Sequence, residues 1–152
     1  MPPTPTLTGQ DIAEAQGALA ALLDEILRPS GTTPVEYIAL RVLALRGPVE
    51  TTGALREFLL SQRQLGLDAD GADALLARLQ SRGFIEPGPG PVRLTETGSR
   101  HHAELTDSIA PSTRDLFDGF DPDDLALAHR VLERVKDRAG TMRAEVRSRR
   151  SQ

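Results

Sequence analysis

The sequence predicts a mainly helical α+β fold of about six helices with one short β-hairpin. Apolar residues recur in steps of three and four through most of the 152 residues. Thr, Asp, Gly and Pro punctuate those stretches where helices start and stop. One Pro/Gly-rich tip stands between two apolar runs too short for helix. Hydrophobic residues make up 39% of the chain but aromatics only 3%, so the core is expected from Leu, Ala, Val and Ile. Leu and Ala are also strong helix formers.

The elements follow in order. Residues 1–7 are rich in Pro and Thr and are expected to be disordered or loosely draped. Thr8 caps a first helix to about Leu27, with Ile12, Ala15, Leu19, Leu22 and Ile26 in one stripe. Thr33-Pro34-Val35-Glu36 is a capping-box start for a second helix, which reaches about Leu45 before Gly47-Pro48. A third starts at Thr51-Thr52, buries Leu55, Phe58 and Leu59, and closes at Gly66. Asp68 or Asp70 caps a fourth through Arg82, with Ala72, Leu75, Leu76 and Leu79 inside and Gly83 as its left-handed end. Phe84-Ile85-Glu86 and Val92-Arg93-Leu94 are expected strands around the Pro87–Pro91 tip. Thr95 caps a fifth helix that Pro111 should kink or break. Asp121-Pro122-Asp123-Asp124 starts the last helix, with acids at its positive end.

Three helices followed by a hairpin make the winged helix-turn-helix order, placed at 33–98. The flanking segments, 8–30 and 95–147, carry seam-like stripes. The first is Ile12, Leu19, Leu22 and Ile26; the last includes Leu125, Leu132, Val135 and Met142. Such seams suit packing against a second copy, so a dimerisation bundle of terminal helices is expected. Residues 148–152 are expected to be a frayed basic tail.

Leu79-Gln80-Ser81-Arg82-Gly83-Phe84-Ile85-Glu86 and Val92-Arg93-Leu94-Thr95-Glu96-Thr97-Gly98 resemble the stretch from recognition helix through wing of the MarR family of regulators. There, Leu-x-x-Arg-Gly-Leu-Ile/Val ends the helix and Leu-Thr-x-x-Gly opens the next. The Thr33-Pro34 start and the Gly47-Pro48-Val49 turn are also similar to that family. The resemblance implies a homodimer, a recognition helix in the major groove of double-stranded DNA, and a wing toward the minor groove. It also implies release from DNA by a small aromatic or phenolic effector. The sequence departs from the pattern in three ways. Its wing tip has prolines and glycines where arginines are usual. Its third helix looks extended to Gly66. Its recognition helix starts with acids.

Charge bears on the DNA reading. The formal net charge is −4, and residues 34–102 hold eight arginines and eight acids. DNA affinity comes largely from neutralised phosphates, so that balance is weak for a DNA-binding lobe. The outer face of the fourth helix carries Asp70, Asp73, Ala74 and Arg78, with no Arg, Lys, Asn or Gln in its first two turns. Asp can accept from a cytosine amino group and Ala can touch a thymine methyl. Thr52, Arg56, Arg78 and Arg93 are the candidate phosphate contacts. Tyr37, Arg41 and His101 are candidates for a ligand pocket where the resemblance implies one.

Other chemistry is not expected. Cysteine is absent, and no His/Asp/Glu cluster has metal-ligand spacing. His101 and His102 are adjacent, so on a helix they diverge by about 100°. Prolines spoil the Gly88–Gly90 tip as a phosphate cradle, and no motif frames a serine nucleophile. No enzyme and no cofactor are therefore predicted. No run approaches the roughly 20 apolar residues of a membrane span, and nothing resembles a signal peptide, so a cytoplasmic location is expected. Arg far outnumbers Lys, of which Lys136 is the only one, as in GC-rich bacterial genomes. Two function classes remain. One is a dimeric, ligand-responsive transcription regulator. The other is a degenerate winged-helix dimer that has lost DNA binding and acts as a ligand-sensing or protein-interaction module.

Overall fold

The computed structural model describes all 152 residues, in two compact units, Met1–Ser112 and Thr113–Gln152. Six α-helices form: α1 (Gly9–Leu27), α2 (Pro34–Arg46), α3 (Thr52–Ser61), α4 (Ala69–Ser81), α5 (Glu96–Phe117) and α6 (Pro122–Arg150). Residues 1–7 have no regular secondary structure and are exposed. No helix is long and apolar enough to cross a membrane.

Local caps set the starts. Thr8 and Asp11 close a capping box on α1, and Thr33 and Glu36 close another on α2. Thr51 accepts from Ala54 N at the start of α3. Asp68, rather than Asp70, caps α4 by accepting from Gly71 N at 2.7 Å. The end of α4 is a Schellman turn: Gly83 (φ 74°) bonds back to the Gln80 carbonyl and Phe84 N to the Leu79 carbonyl.

Three expectations are corrected. First, α3 ends at Ser61, and a 3₁₀ turn, Arg63–Leu65, carries the chain to Gly66. Second, Pro111 does not break α5, which continues through it to Phe117. Pro111 and Asp107 are both exposed, so the carbonyl deprived of a donor can face water. Third, the basic end is helical to Arg150, not frayed from 148.

The two expected strand runs pair only through isolated bridges. Ile85 bridges Leu94 and Val49 bridges Val92, both antiparallel. Glu86 N bonds to the Arg93 carbonyl at 3.3 Å, and the pairing goes no further along the segment. Pro87, Pro89 and Pro91 have no N–H to extend it. Val92 turns instead to Val49, exchanging bonds of 2.9 and 2.7 Å.

The core lies in the first unit and is mostly leucine. Leu27, Leu40, Leu55, Leu59, Leu75, Leu79 and Ile85 are fully buried, with Leu43, Leu76, Phe84, Val92 and Leu105 nearly so. Helix α1 contributes Leu27 fully and Leu23 partly. Its stripe residues stay outside that core: Leu19 and Leu22 are exposed, and Ile12 and Ile26 are half-buried. In the second unit, Gly119 (φ 83°) turns the chain into α6, and Asp121 caps that helix through Asp123 N. No residue of α6 is buried. Leu132, Val135, Met142 and Val146 are exposed on it, and Leu125 is half-buried.

Candidate nucleic-acid interface

Helix α4 divides cleanly between its two sides. Ala72, Leu75, Leu76 and Leu79 are in the core, as their spacing predicts. Asp70, Asp73, Ala74, Ala77, Arg78 and Ser81 are exposed on the other side. Thr52 is half-buried at the first turn of α3, and Arg93 is exposed beside the 87–91 tip.

The cations expected to meet phosphates are paired with acids. Arg56 Nε donates to Asp73 Oδ1 at 2.7 Å, which joins α3 to α4. That hydrogen bond and the Asp73 charge push the Arg56 guanidinium further above its ordinary value. Asp73, a candidate for reading bases, therefore has a local partner in its own chain. Arg93 stands 4.0 Å from Glu86. Arg46 lies over the Phe58 ring at 4.6 Å.

Arg78 meets an acid from α2. Its Nε donates to Glu36 Oε1 at 2.9 Å, and Arg82 Nη1 donates to Glu36 Oε2 at 3.2 Å. Glu36 is 3% exposed and is the one buried charged residue. Thr33 N also donates to Oε2, at 3.2 Å. Arg82 reaches further, to the carbonyls of Ser30 and Gly31 and to the buried Thr32 hydroxyl. Its guanidinium lies 4.7 Å over the Phe84 ring. In sequence, Glu36 stands out only as the third residue of a capping box. The available signal was its spacing: Glu36, Leu40 and Leu43 share the buried face of α2, so the carboxylate needs cations.

The two histidines part as adjacent helix positions must. His101 stacks on Phe84 at 4.4 Å and shares a 2.8 Å hydrogen bond with the Thr32 hydroxyl. His102 stacks on the buried Tyr37 at 5.9 Å, and its Nε2 is buried with no partner. Burial lowers the pKa of both, helped by the Arg82 charge at His101 and the Arg41 charge at His102. Of the three predicted ligand residues, Tyr37 and Arg41 are thus associated with His102. His101 belongs with Phe84 and Arg82.

Glycine is required where α5 begins. Thr95 N donates to the Phe84 carbonyl at 3.0 Å, and Thr95 Oγ1 accepts from Gly98 N and bonds to the Gly83 carbonyl. A Cβ at Gly98 would stand 2.1 Å from the Phe84 carbonyl oxygen. The Arg-Gly-Phe-Ile and Leu-Thr-x-x-Gly motifs are the two sides of this one contact.

No protein-family model matches the chain, and no curated protein matches it in sequence. Solved structures do match. A mutant of Escherichia coli MarR complexed with operator DNA has a TM-score of 0.67 at 23% identity, covering 84% of this chain and 91% of that one. This is the MarR fold. The PcaV transcriptional regulator of Streptomyces coelicolor matches at 0.62 and 23% identity, over 88% and 98% of the two chains. A MarR-family protein of Bacillus stearothermophilus matches at 0.60 and 21%, over 89% and 99%. These matches cover 84% to 89% of this chain, so the MarR fold describes most of it. Within it, α4 is the helix with an exposed outer face between a capped start and a locked end.

Proposed function

We propose that the chain is a dimeric transcription regulator that binds operator DNA through α4. One observation carries this reading: the MarR fold, with a neighbour solved on operator DNA, presents α4 with its apolar side buried and its outer side open. Ala74 and Asp70 face the base edges, Asp73 orients Arg56, and Thr52, Arg56 and Arg93 meet phosphates. Arg78 lies at the C-terminal edge of that surface. The 84–95 segment is the wing. Glu96 at the start of α5 pairs with Arg100 rather than with a wing cation.

The dimer forms through the terminal helices. Ile12, Leu19, Leu22 and Ile26 on α1, with Leu125, Leu132, Val135 and Met142 on α6, are apolar stripes lying outside the leucine core. Closing them against a second copy removes that surface from water. The effector is a small aromatic or phenolic anion. Tyr37 and His102 offer stacked rings, the unpartnered His102 Nε2 offers a hydrogen bond, and Arg41 offers charge. His101 lies on the adjoining side, against Phe84.

A second reading has one observation in its favour. Arg56 and Arg78 each face an acid of the same chain, which suits a winged-helix dimer that senses ligands or binds protein without DNA. A gel shift with the DNA upstream of the chain's own gene, at low ionic strength, separates the two. The regulator gives a retarded complex that salt dissolves and a phenolic effector releases. The sensing module gives no complex at any salt.

A further inference from the structure

Glu36 brings three donors to one buried carboxylate: Thr33 N, Arg78 Nε and Arg82 Nη1. Two of them come from the last turn of α4 and its C-terminal cap, 42 and 46 residues away in sequence. Arg82 has further partners at Ser30, Gly31 and Thr32, which tie it to the turn before α2. Arg78 has Glu36 as its ion-pair partner and is half exposed, so of the two arginines it is the one a DNA backbone could otherwise reach.

Resting on the DNA-binding reading above, we infer that Glu36 is a positioning residue that withholds Arg78 from the DNA backbone. Giving up Arg78 would leave the buried Glu36 carboxylate with one cation, Arg82, in place of two, and a desolvated carboxylate holds its cations more tightly than a solvated phosphate does. Arg78 is therefore drawn against α2 while α4 enters the groove. The chain then binds DNA with fewer phosphate contacts than its arginines could make. Its weak, balanced electrostatics is set by this clasp as much as by composition. The same carboxylate fixes the C-terminal end of α4 against α2, so the tilt of the recognition helix and the strength of backbone binding share one residue.

The test is salt-dependent binding of a labelled random-sequence duplex of about three helical turns, measured by anisotropy. Wild type, Glu36→Gln, Arg78→Ala and the double variant are compared. Gln keeps an oxygen for Thr33 N, so the capping box survives. Each phosphate contact adds about 0.9 to the slope of log affinity against log salt. Glu36→Gln should steepen the slope by about 0.9 per engaged protomer, an extra loss of roughly 3–4-fold between 50 and 200 mM salt. Arg78→Ala should leave the wild-type slope unchanged but cancel the gain in the double variant. Binding by Glu36→Gln where wild type shows none also supports the clasp. A shallower slope for Arg78→Ala alone, or no change for Glu36→Gln, overturns the inference while leaving the DNA reading intact. No binding by any of the four overturns both. If Glu36→Gln melts at the assay temperature, Arg78→Ala decides alone, since Glu36 keeps Arg82.

Discussion

Replacing Gly98 by Ala tests the junction between the end of α4 and the start of α5. In an open helical position the change is favourable, because Gly costs up to about 1 kcal/mol relative to Ala. At Gly98 the new Cβ would stand 2.1 Å from the Phe84 oxygen, 2.9 Å from its carbonyl carbon and 3.0 Å from its Cα. All three are backbone atoms, so no side chain can rotate away. Reaching an ordinary van der Waals contact from 2.1 Å requires α5 and the Phe84 carbonyl to separate by more than about 1 Å, since a methyl carbon cannot approach an oxygen as closely as a hydrogen-bond donor does. That strains the Thr95 N bond to Phe84 and the Ile85–Leu94 bridge beside it. Overpacking of roughly 1–3 kcal/mol and a lost hydrogen bond near 1 kcal/mol together give about 2–4 kcal/mol. For a chain of this size that is a fall in melting temperature of roughly 5–15 °C. The assay is thermal and urea unfolding by circular dichroism at matched protein concentration. Gly53→Ala, whose Cβ would meet only Thr51 Oγ1 at 3.8 Å, is the control and should be neutral or stabilising. A Gly98→Ala protein as stable as wild type would refute the reasoning.

Further outcomes follow from the core, the histidines and the terminal helices. Leu75→Ala removes a fully buried side chain and should cost about 2–5 kcal/mol in urea unfolding, whereas a cost below that of a surface change would place Leu75 outside the core. His101 and His102 have pKa values lowered in the folded state, so folding disfavours their charged forms. Their contribution to stability is complete above the ordinary histidine value of about 6.5 and is lost as pH falls through the lowered values. The melting temperature should therefore drop between pH 7 and pH 5. A flat or rising profile in the double variant His101→Gln/His102→Gln fits this, and the same profile in wild type contradicts it. Leu132→Glu with Val135→Glu charges the α6 stripe without touching the core of the first unit. Equilibrium sedimentation should show wild type at twice the chain mass and this variant at the chain mass with its helicity kept. A variant that remains dimeric would remove α6 from the interface.

Features set within a few residues were legible in the sequence. Thr8, Thr33 and Asp68 as caps, and Gly83 as a left-handed end, each depend on neighbours three or four positions away. The leucine periodicity of α4 likewise separates its two sides without tertiary information. The site was less legible because its pairings cross elements. Asp73 meets Arg56 over 17 residues, and Glu36 meets Arg78 over 42. Counting charges by segment finds neutrality in 34–102 but not which acid holds which arginine. The break allowed for at Pro111 does not occur, because proline rules describe a lost bond, while the exposed setting that makes the loss tolerable is tertiary. The hairpin was legible only in outline: the two apolar runs meet at the Ile85–Leu94 bridge, but three prolines at the tip remove the donors a ladder needs, and Val92 pairs with Val49. The partnering of Tyr37 with His102 rather than His101 turns on one helical step of about 100°.

The proposal that the outer face of α4 binds DNA as one half of a dimer has a direct readout on DNA. Footprinting on the DNA upstream of the chain's own gene, at low salt, tests it most directly. Two half-sites centred about 34 Å, or one helical turn, apart should be protected, and that protection should weaken with added salt and with Ala74→Glu on the exposed face of α4. Absence of protection at low ionic strength, or protection that Ala74→Glu leaves unchanged, would contradict it.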